Sequence, residues 1–385
     1  MATAIARLTT AITKQYPLAD LVSVRLPLAL LLALPLFAPA FLPTSRHLSL
    51  AVTATIYIMV ANGLHIIFSY AGQLSLAHTT LWGLGAYTAA LLTTHYGWPI
   101  AALIPAAGIV AALGAVAIGV PAFRTAGFSF AIITFAFAEI MRLVANNWSS
   151  LTEGSIGITV LSAPSSLGSI SFDTFDHLTN YYYLTLAFAY LSLVGVLLIR
   201  QSSLGRSFIS IRENEALAKS VGINVYLHKL IAFAISGFFA GVAGVFFMYH
   251  QKHIDPGPLS PFSAFFTIQF LLMILIGGRL SMLGPTLGAV VAVFMPEIIN
   301  AIVGDALDFS RIQIMFGTSL VLTVLLAPNG ISGQTKVGYR TFFTVLQHSR
   351  EQRRGWVVSA ALALASSVVP AARLGMDNTT SGDRE

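Results

Sequence analysis

A short charged segment in the second half of the chain is the strongest candidate for recognition or chemistry. Only 9% of the residues are charged, yet several of them cluster here. The clustered residues are Arg212, Glu213, Glu215 and Lys219. Their spacing predicts one short helix that ends near Gly222, with a polar face beside an apolar ridge of Leu217 and Val221. A helix of this kind is suited to docking in a groove on another protein.

Two glycine-containing stretches share a polar pattern. Residues 70–85 read YAGQLSLAHTTLWGLG and residues 275–288 read LIGGRLSMLGPTLG, so both contain Gly-x-Leu-Ser. Glycines can interrupt membrane helices, and interrupted helices often line a transport pathway because their backbone groups need protein or water as partners. Alternatively, the glycines permit close packing, and His78 hydrogen-bonds between helices. On the pathway interpretation, the candidate residues are Gln73, Ser75, His78, Gly278 and Ser281.

One further pair of charges is positioned to interact. Glu139 and Arg142 lie one helical turn apart, which favours mutual pairing. A pathway role is the alternative, because charge inside a membrane is costly to retain. The sequence contains no cysteine, no G-x-x-x-x-G-K-[ST] phosphate loop and no H-E-x-x-H motif. We therefore predict no catalytic site, no metal site and no cofactor in this chain.

The elements that hold these residues are predicted to be membrane helices. The composition is 56% hydrophobic with a mean hydropathy of +0.79, and the repeated apolar runs are too long and too frequent for one soluble core. We predict an all-α, polytopic helical membrane protein with about ten transmembrane helices. Broken or re-entrant segments are possible at 78–95 and 262–303. The predicted spans are 26–42, 48–69, 78–95, 99–120, 127–146, 181–199, 229–249, 262–277, 283–303 and 311–327.

The distribution of basic residues predicts the orientation. Residues 1–25 form a cytoplasmic N-terminal segment, and residues 26–333 form the membrane domain with a cytoplasmic loop near 200–228. Residues 334–385 form a cytoplasmic basic tail, disordered or interfacial. Both termini are then cytoplasmic, and the loop 147–180 lies outside. The basic residues that depart from this pattern are Arg46, Lys252 and Arg311. Because Lys and Arg cluster in short loops between spans, nucleic-acid binding is not expected.

Blocks of sequence in five places resemble a known family. They are residues 70–92, 120–158, 211–225, 276–289 and 327–333, the last reading APNGISG. In this order they are similar to the permease subunits of branched-chain amino acid ABC importers. The resemblance implies a subunit of a bacterial plasma membrane transporter that is not itself an enzyme. It also implies a second, similar permease, two cytoplasmic ATPase subunits that hold ATP and Mg, and a periplasmic or lipoprotein solute-binding protein.

The resemblance also implies roles for individual residues. Segment 211–223 is similar to the cytoplasmic loop that contacts the ATPase. The residues of this segment assigned to ATPase coupling are Arg212, Glu213, Glu215, Leu217, Ala218 and Gly222. Leu217 stands where the family often has alanine, and Glu153 stands where an outer loop usually has glycine. The implied solute is a branched-chain amino acid. The alternatives are urea, a short amide or an aromatic acid, or a secondary transporter driven by an ion gradient.

Overall fold

Helices of membrane-spanning length dominate the computed structural model. It describes residues 34–41, 44–125, 128–160, 178–257, 261–303, 314–318, 321 and 330. Within those ranges, five helices are long and apolar enough to cross a membrane. They are Ser45–Tyr70, Ile100–Ala122, Ser129–Asn147, Leu178–Gln201 and Val225–Gln251. The prediction of a helical membrane protein is therefore confirmed, whereas the number of ten spans is not established.

Ten helices are labelled here in chain order. They are α1 (Ser45–His65), α2 (His78–Tyr96), α3 (Ile100–Ala122), α4 (Ser129–Asn147), α5 (Leu178–Gln201), α6 (Ser203–Glu213), α7 (Glu215–Ser220), α8 (Val225–Gln251), α9 (Ala264–Gly277) and α10 (Gly284–Val303). A π-helix, Ile66–Tyr70, continues α1. The short elements are a 3-10 helix at Leu34–Phe37, helical turns at Ala38–Phe41 and Ser149–Thr152, and the strands β1 (Ile158–Thr159) and β2 (His253–Ile254).

Each predicted span between residues 48 and 303 coincides with a helix. The largest difference is at the start of α8, which begins at Val225 instead of residue 229. The other predictions fall wholly or partly outside the described residues. They are the segment 1–25, the spans 26–42 and 311–327, residues 161–177 of the loop 147–180, and the tail 334–385.

Helix α8 is the centre of the bundle and packs against α1, α2 and α3. Close approach is possible because the contacts are made by small residues. A Cβ added to Gly85 on α2 would lie 2.2 Å from the carbonyl oxygen of Gly241 on α8, and one added to Gly241 would lie 2.5 Å from that of Ala107 on α3. Glycine and alanine contacts of this type hold helices together inside membranes, where lipid competes for apolar side chains.

Two helical hairpins turn at the same end of the bundle. The turn after α1 contains Gly72 with φ +72, and the turn after α9 contains Gly278 with φ +105. Left-handed backbone of this kind favours glycine because it has no Cβ. Helices α6 and α7 lie at this end, which we call the α6–α7 end. The first glycine stretch connects the π-helical end of α1 to α2, and the second connects α9 to α10; whether either is re-entrant in the membrane stays a prediction.

The opposite end, called the strand end, is held by a short ladder and an ion pair. Strand β1 pairs antiparallel with β2, with Ile158 opposite Ile254. Arg46 at the start of α1 donates to the Glu297 carboxylate at 2.9 Å. Glu153 has φ +58. This left-handed backbone favours glycine, the residue that the sequence resemblance leads us to expect at this position.

Candidate functional site

The charged segment forms two helices, so the expectation of one short helix is wrong. Asn214 separates α6 from α7 because its backbone is extended, with φ −158 and ψ 106, and its side chain accepts a hydrogen bond from the Leu217 amide. An asparagine that bonds to the third residue of a helix is a favourable N-cap. Arg212 and Glu213 therefore end α6, and Glu215 begins α7. As expected, the second helix ends close to Gly222, whose φ is +86.

Helix α7 is fixed on one side and presents apolar side chains on the other. Ala218 is buried, and the Glu215 carboxylate accepts a hydrogen bond from Lys229 Nζ on α8 at 2.7 Å. Leu217 and Val221 are 62% and 69% exposed. We call these two residues the α7 ridge. The ridge is available to a partner, whereas the Glu215 carboxylate is held within this chain.

Arg212 joins the end of α6 to the first glycine turn. Its Nη1 donates to the carbonyl oxygen of Ser69 at 2.6 Å, and it also forms an ion pair with the neighbouring Glu213. A Cβ added to Gly72 would lie 2.8 Å from Arg212 Cγ, so glycine lets the turn approach the arginine. Arg212 therefore links the end of α6 to the π-helical end of α1.

The second glycine turn also contacts an arginine at the α6–α7 end. Arg200, in the last turn of α5, lies with Nη1 3.8 Å from the sulfur of Met282. The first Gly-x-Leu-Ser stretch thus adjoins α6, and the second adjoins the end of α5. The pattern predicted a relation between these stretches, and the structure places both at one end of the molecule.

The candidate pathway residues of the first turn are mainly in helix contacts. His78 lies with Nε2 2.5 Å from Ser236 Oγ on α8 and Nδ1 3.3 Å from Ser75 Oγ. Ser236 in turn donates to the carbonyl oxygen of Gly63 at 2.6 Å. This network joins α1, α2 and α8, as the alternative of hydrogen bonding between helices requires. His78 and Ser75 are buried.

The remaining candidates occupy different surroundings. Gln73 and Ser281 are half-buried in separate turns, and Gly278 is buried. Sequence reasoning missed Ser236 and Lys229, because each is a single polar residue within an apolar helix whose partner lies on another element. Thr134 was also missed: its hydroxyl accepts a hydrogen bond from the Leu76 amide at 3.0 Å and ties α4 to the first turn.

Glu139 and Arg142 form the ion pair that their spacing predicts. Arg142 donates Nε to both carboxylate oxygens at 3.0 Å and Nη2 to one of them at 2.6 Å. The two side chains remain 45% and 31% exposed, respectively. Pairing on α4 is therefore present, but it does not remove these charges from the surface.

Comparisons with known proteins agree with these features. The profile described as the permease component of branched-chain amino acid transport systems matches residues 47–327. The high-affinity branched-chain amino acid transport system permease protein LivM of Salmonella typhimurium is 29% identical, with 80% of this chain and 75% of that protein covered. LivM of Escherichia coli is also 29% identical, with 77% and 72% covered. LivH of Escherichia coli is 24% identical, with 73% and 92% covered.

No solved structure gives a significant match to the chain. The family profile spans α1 to α10 and therefore includes both glycine turns, the α7 ridge and the ion pair on α4. With these elements in the matched region, the chain belongs to the family of permease components of branched-chain amino acid transport systems.

Proposed function

We propose that this chain is one membrane subunit of an ABC importer that carries branched-chain amino acids into a bacterial cell. A second permease completes the membrane domain, an external binding protein delivers the solute, and two cytoplasmic ATPase subunits hold ATP and Mg. The family membership and the relatives named for branched-chain amino acid transport support this proposal. The chain itself supplies a route across the membrane and carries out no bond-breaking chemistry.

The observation that carries the proposal is the α7 ridge. An importer driven by separate ATPases needs a surface through which nucleotide-driven movement reaches the membrane helices. Leu217 on α7 and Val221 directly after its last residue are exposed, and α7 is joined to α8 by the Glu215–Lys229 pair and lies beside α6. Docking of the ridge in an apolar ATPase groove would bury both side chains. A secondary transporter driven only by an ion gradient has no need of such a surface.

The charge distribution supports a cytoplasmic location for the α6–α7 end. Positive charges are enriched on the cytoplasmic side of membrane proteins. The described Lys and Arg residues at the α6–α7 end are Arg124, Arg200, Arg206, Arg212, Lys219, Lys229 and Arg279. Those at the strand end are Arg46 and Lys252. This asymmetry favours an external strand end, and an even number of spans would then place both termini in the cytoplasm.

The orientation predicts which engineered cysteines an impermeant thiol reagent reaches. The chain has no cysteine of its own, so labelling of each introduced cysteine is measured without background from this chain. Ser155 is exposed at the strand end, and Ser203 is exposed at the α6–α7 end. On intact spheroplasts we expect Ser155→Cys to be labelled and Ser203→Cys to be labelled only after permeabilisation. The reverse pattern would show that the orientation is inverted.

Arg212 is expected to transmit movement of α6 and α7 to α1. In Arg212→Gln the charged bond to the Ser69 carbonyl is lost, so movement of α6 and α7 should reach α1 less completely. We expect solute transported per ATP hydrolysed to fall about fivefold or more, the scale of a typical coupling free energy. Arg206→Gln, on the exposed side of the same helix, is the matched control and should leave this ratio unchanged. An unchanged ratio in Arg212→Gln would remove Arg212 from the transmission route.

The proposed function is tested by uptake in cells that lack other leucine importers. The two permeases, the ATPases and the binding protein are expressed together, and radiolabelled L-leucine uptake is measured. We expect uptake to require ATP hydrolysis by the partner subunits and to persist when the proton and sodium gradients are dissipated. Uptake of urea, a short amide or an aromatic acid in place of leucine would reassign the solute. Dependence on an ion gradient alone would reassign the transporter class.

A further inference from the structure

Helix α4 has two stripes of different polarity, one on each side of its buried face. Its buried side chains face the bundle and include Phe130, Thr134 and Ala138. Two other stripes follow the same spacing of i, i+4, i+7 and i+11, and each lies along one side of the helix. The apolar stripe consists of Ile133, Phe137, Ile140 and Val144. The charged stripe consists of Phe135, Glu139, Arg142 and Asn146.

The charged stripe crosses the middle of the membrane. Phe128 and Trp148 flank α4 and are 73% and 52% exposed, as expected for aromatic residues at the two interfaces. At a rise of about 1.5 Å per residue, Glu139 lies about 14 Å from Trp148 and about 16 Å from Phe128. Because the hydrocarbon layer is about 30 Å thick, Glu139 is near its centre, and Arg142 lies about 9 Å from the Trp148 end.

A charged surface at this depth cannot be explained by lipid contact. Ionisable residues near the bilayer centre almost always face other helices or a water-filled cavity, because lipid contact is costly. The apolar stripe has the composition that lipid requires, whereas the charged stripe keeps Glu139 and Arg142 45% and 31% exposed. The hydrogen bond from the Leu76 amide to Thr134 also joins α4 to the first glycine turn. We therefore expect the charged stripe to face water in a pathway and not lipid.

We propose that Glu139 and Arg142 form a transit site for a zwitterionic amino acid with an apolar side chain. The solute's carboxylate would bind Arg142, and its ammonium group would bind Glu139. The proposal rests on the proposed function of the chain as an amino acid permease. It specifies where on α4 the solute is recognised during passage.

The hydrogen-bond donors of Arg142 and acceptors of Glu139 match the charged groups of this solute. A guanidinium has five N–H donors, and the bonds to Glu139 use Nε and Nη2 of Arg142. The remaining donors can bind a carboxylate in a charge-assisted bond. The Glu139 carboxylate can likewise accept from an ammonium group. Phe135, one turn before Glu139 and 42% exposed, offers an apolar contact to an aliphatic side chain.

The Glu139–Arg142 ion pair is suited to weak binding of the solute during passage, and less to tight binding. Because Glu139 and Arg142 compensate each other before the solute arrives, no isolated charge has to be stabilised in the empty site. The solute adds one charge of each sign, so the site also stays neutral when occupied. Release then leaves the original ion pair intact.

The first test removes both charges together. Glu139→Gln with Arg142→Gln leaves no unpaired charge and keeps both side chains close to their original size. In cells expressing the whole transporter, we expect radiolabelled L-leucine uptake to fall at least tenfold. Complex yield and the affinity of the binding protein for leucine should not change. Ile140→Val, on the apolar stripe, is the control and should retain uptake. Undiminished uptake in the double glutamine variant would overturn the proposal.

A second test does not depend on the double variant being assembled. Single cysteines are introduced at Phe135 on the charged stripe and at Ile140 on the apolar stripe, with Glu139 and Arg142 intact. Both positions are exposed and lie more than about 10 Å from either interface. A small water-soluble thiol reagent should modify Phe135→Cys and leave Ile140→Cys unmodified, and added L-leucine with its binding protein should slow the reaction. An unreactive Phe135→Cys that instead cross-links to the second permease would assign the stripe to the subunit interface and overturn the proposal.

The two tests also separate this proposal from the proposed function. Failure of the unmodified transporter to take up leucine would contradict the assigned solute. Normal uptake by the unmodified transporter, with equal uptake by the double glutamine variant or no thiol reactivity at Phe135→Cys, would contradict only the transit site.

Discussion

Leu217→Asp is expected to reduce solute uptake at least tenfold while the permease still folds and enters the membrane. Leu217 is 62% exposed in this chain, so aspartate disturbs no internal contact. In the assembled transporter, however, Leu217 is proposed to be buried in the ATPase groove. Burial of a leucine side chain contributes about 1.5–3 kcal/mol, and each 1.4 kcal/mol corresponds to about tenfold in affinity. A carboxylate in the same groove adds a desolvation cost.

Leucine uptake and co-purification of the ATPase subunits are the two measurements. Leu217→Met retains an apolar side chain of similar volume and should support nearly normal uptake. Ser210→Asp places the same charge at an exposed position on α6, outside the α7 ridge, and serves as the control for charge alone. Normal uptake and normal ATPase recovery with Leu217→Asp would show that the ridge is not the docking surface.

Gly85→Ala is expected to cause the largest loss of folded protein. The new Cβ would lie 2.2 Å from the carbonyl oxygen of Gly241. Because the obstructing atom belongs to the backbone of α8, no side-chain rotation can relieve the contact, and α2 must move away from the centre of the bundle. Overpacking of a close contact typically costs about 1–3 kcal/mol. We expect most of the detergent-stable protein to be lost, as measured by size-exclusion chromatography of the solubilised membranes.

Gly114→Ala provides the matched control. It introduces the same methyl group into an apolar helix of the same bundle, but the atom within 2.7 Å is the terminal Cδ1 of Leu84. Leucine can change rotamer, whereas a carbonyl oxygen in a helix cannot move independently. Gly114→Ala should therefore retain most of the folded protein. Equal yields from the Gly85 and Gly114 variants would contradict the role assigned to the α2–α8 contact.

Sequence alone determined the helical elements and the family. Long apolar runs predict helices because a membrane span must satisfy its backbone hydrogen bonds internally, and the span predicted at 99–120 accordingly became α3, Ile100–Ala122. The family followed from blocks such as APNGISG, whose residues and order can be read without coordinates. The α7 ridge was also accessible to sequence reasoning, because Leu217 and Val221 are one turn apart in a polar segment.

Contacts between distant elements were decided by the tertiary structure. The bond from Arg212 to the Ser69 carbonyl and the contact of His78 with Ser236 join residues far apart in sequence, and no local pattern identifies such partners. The division of the charged segment at Asn214 was missed, because an asparagine between polar residues can occupy either the interior of a helix or its N-cap position. Periodicity and composition govern local conformation, whereas the choice of neighbouring helix depends on where small residues such as Gly85 and Gly241 allow two backbones to approach.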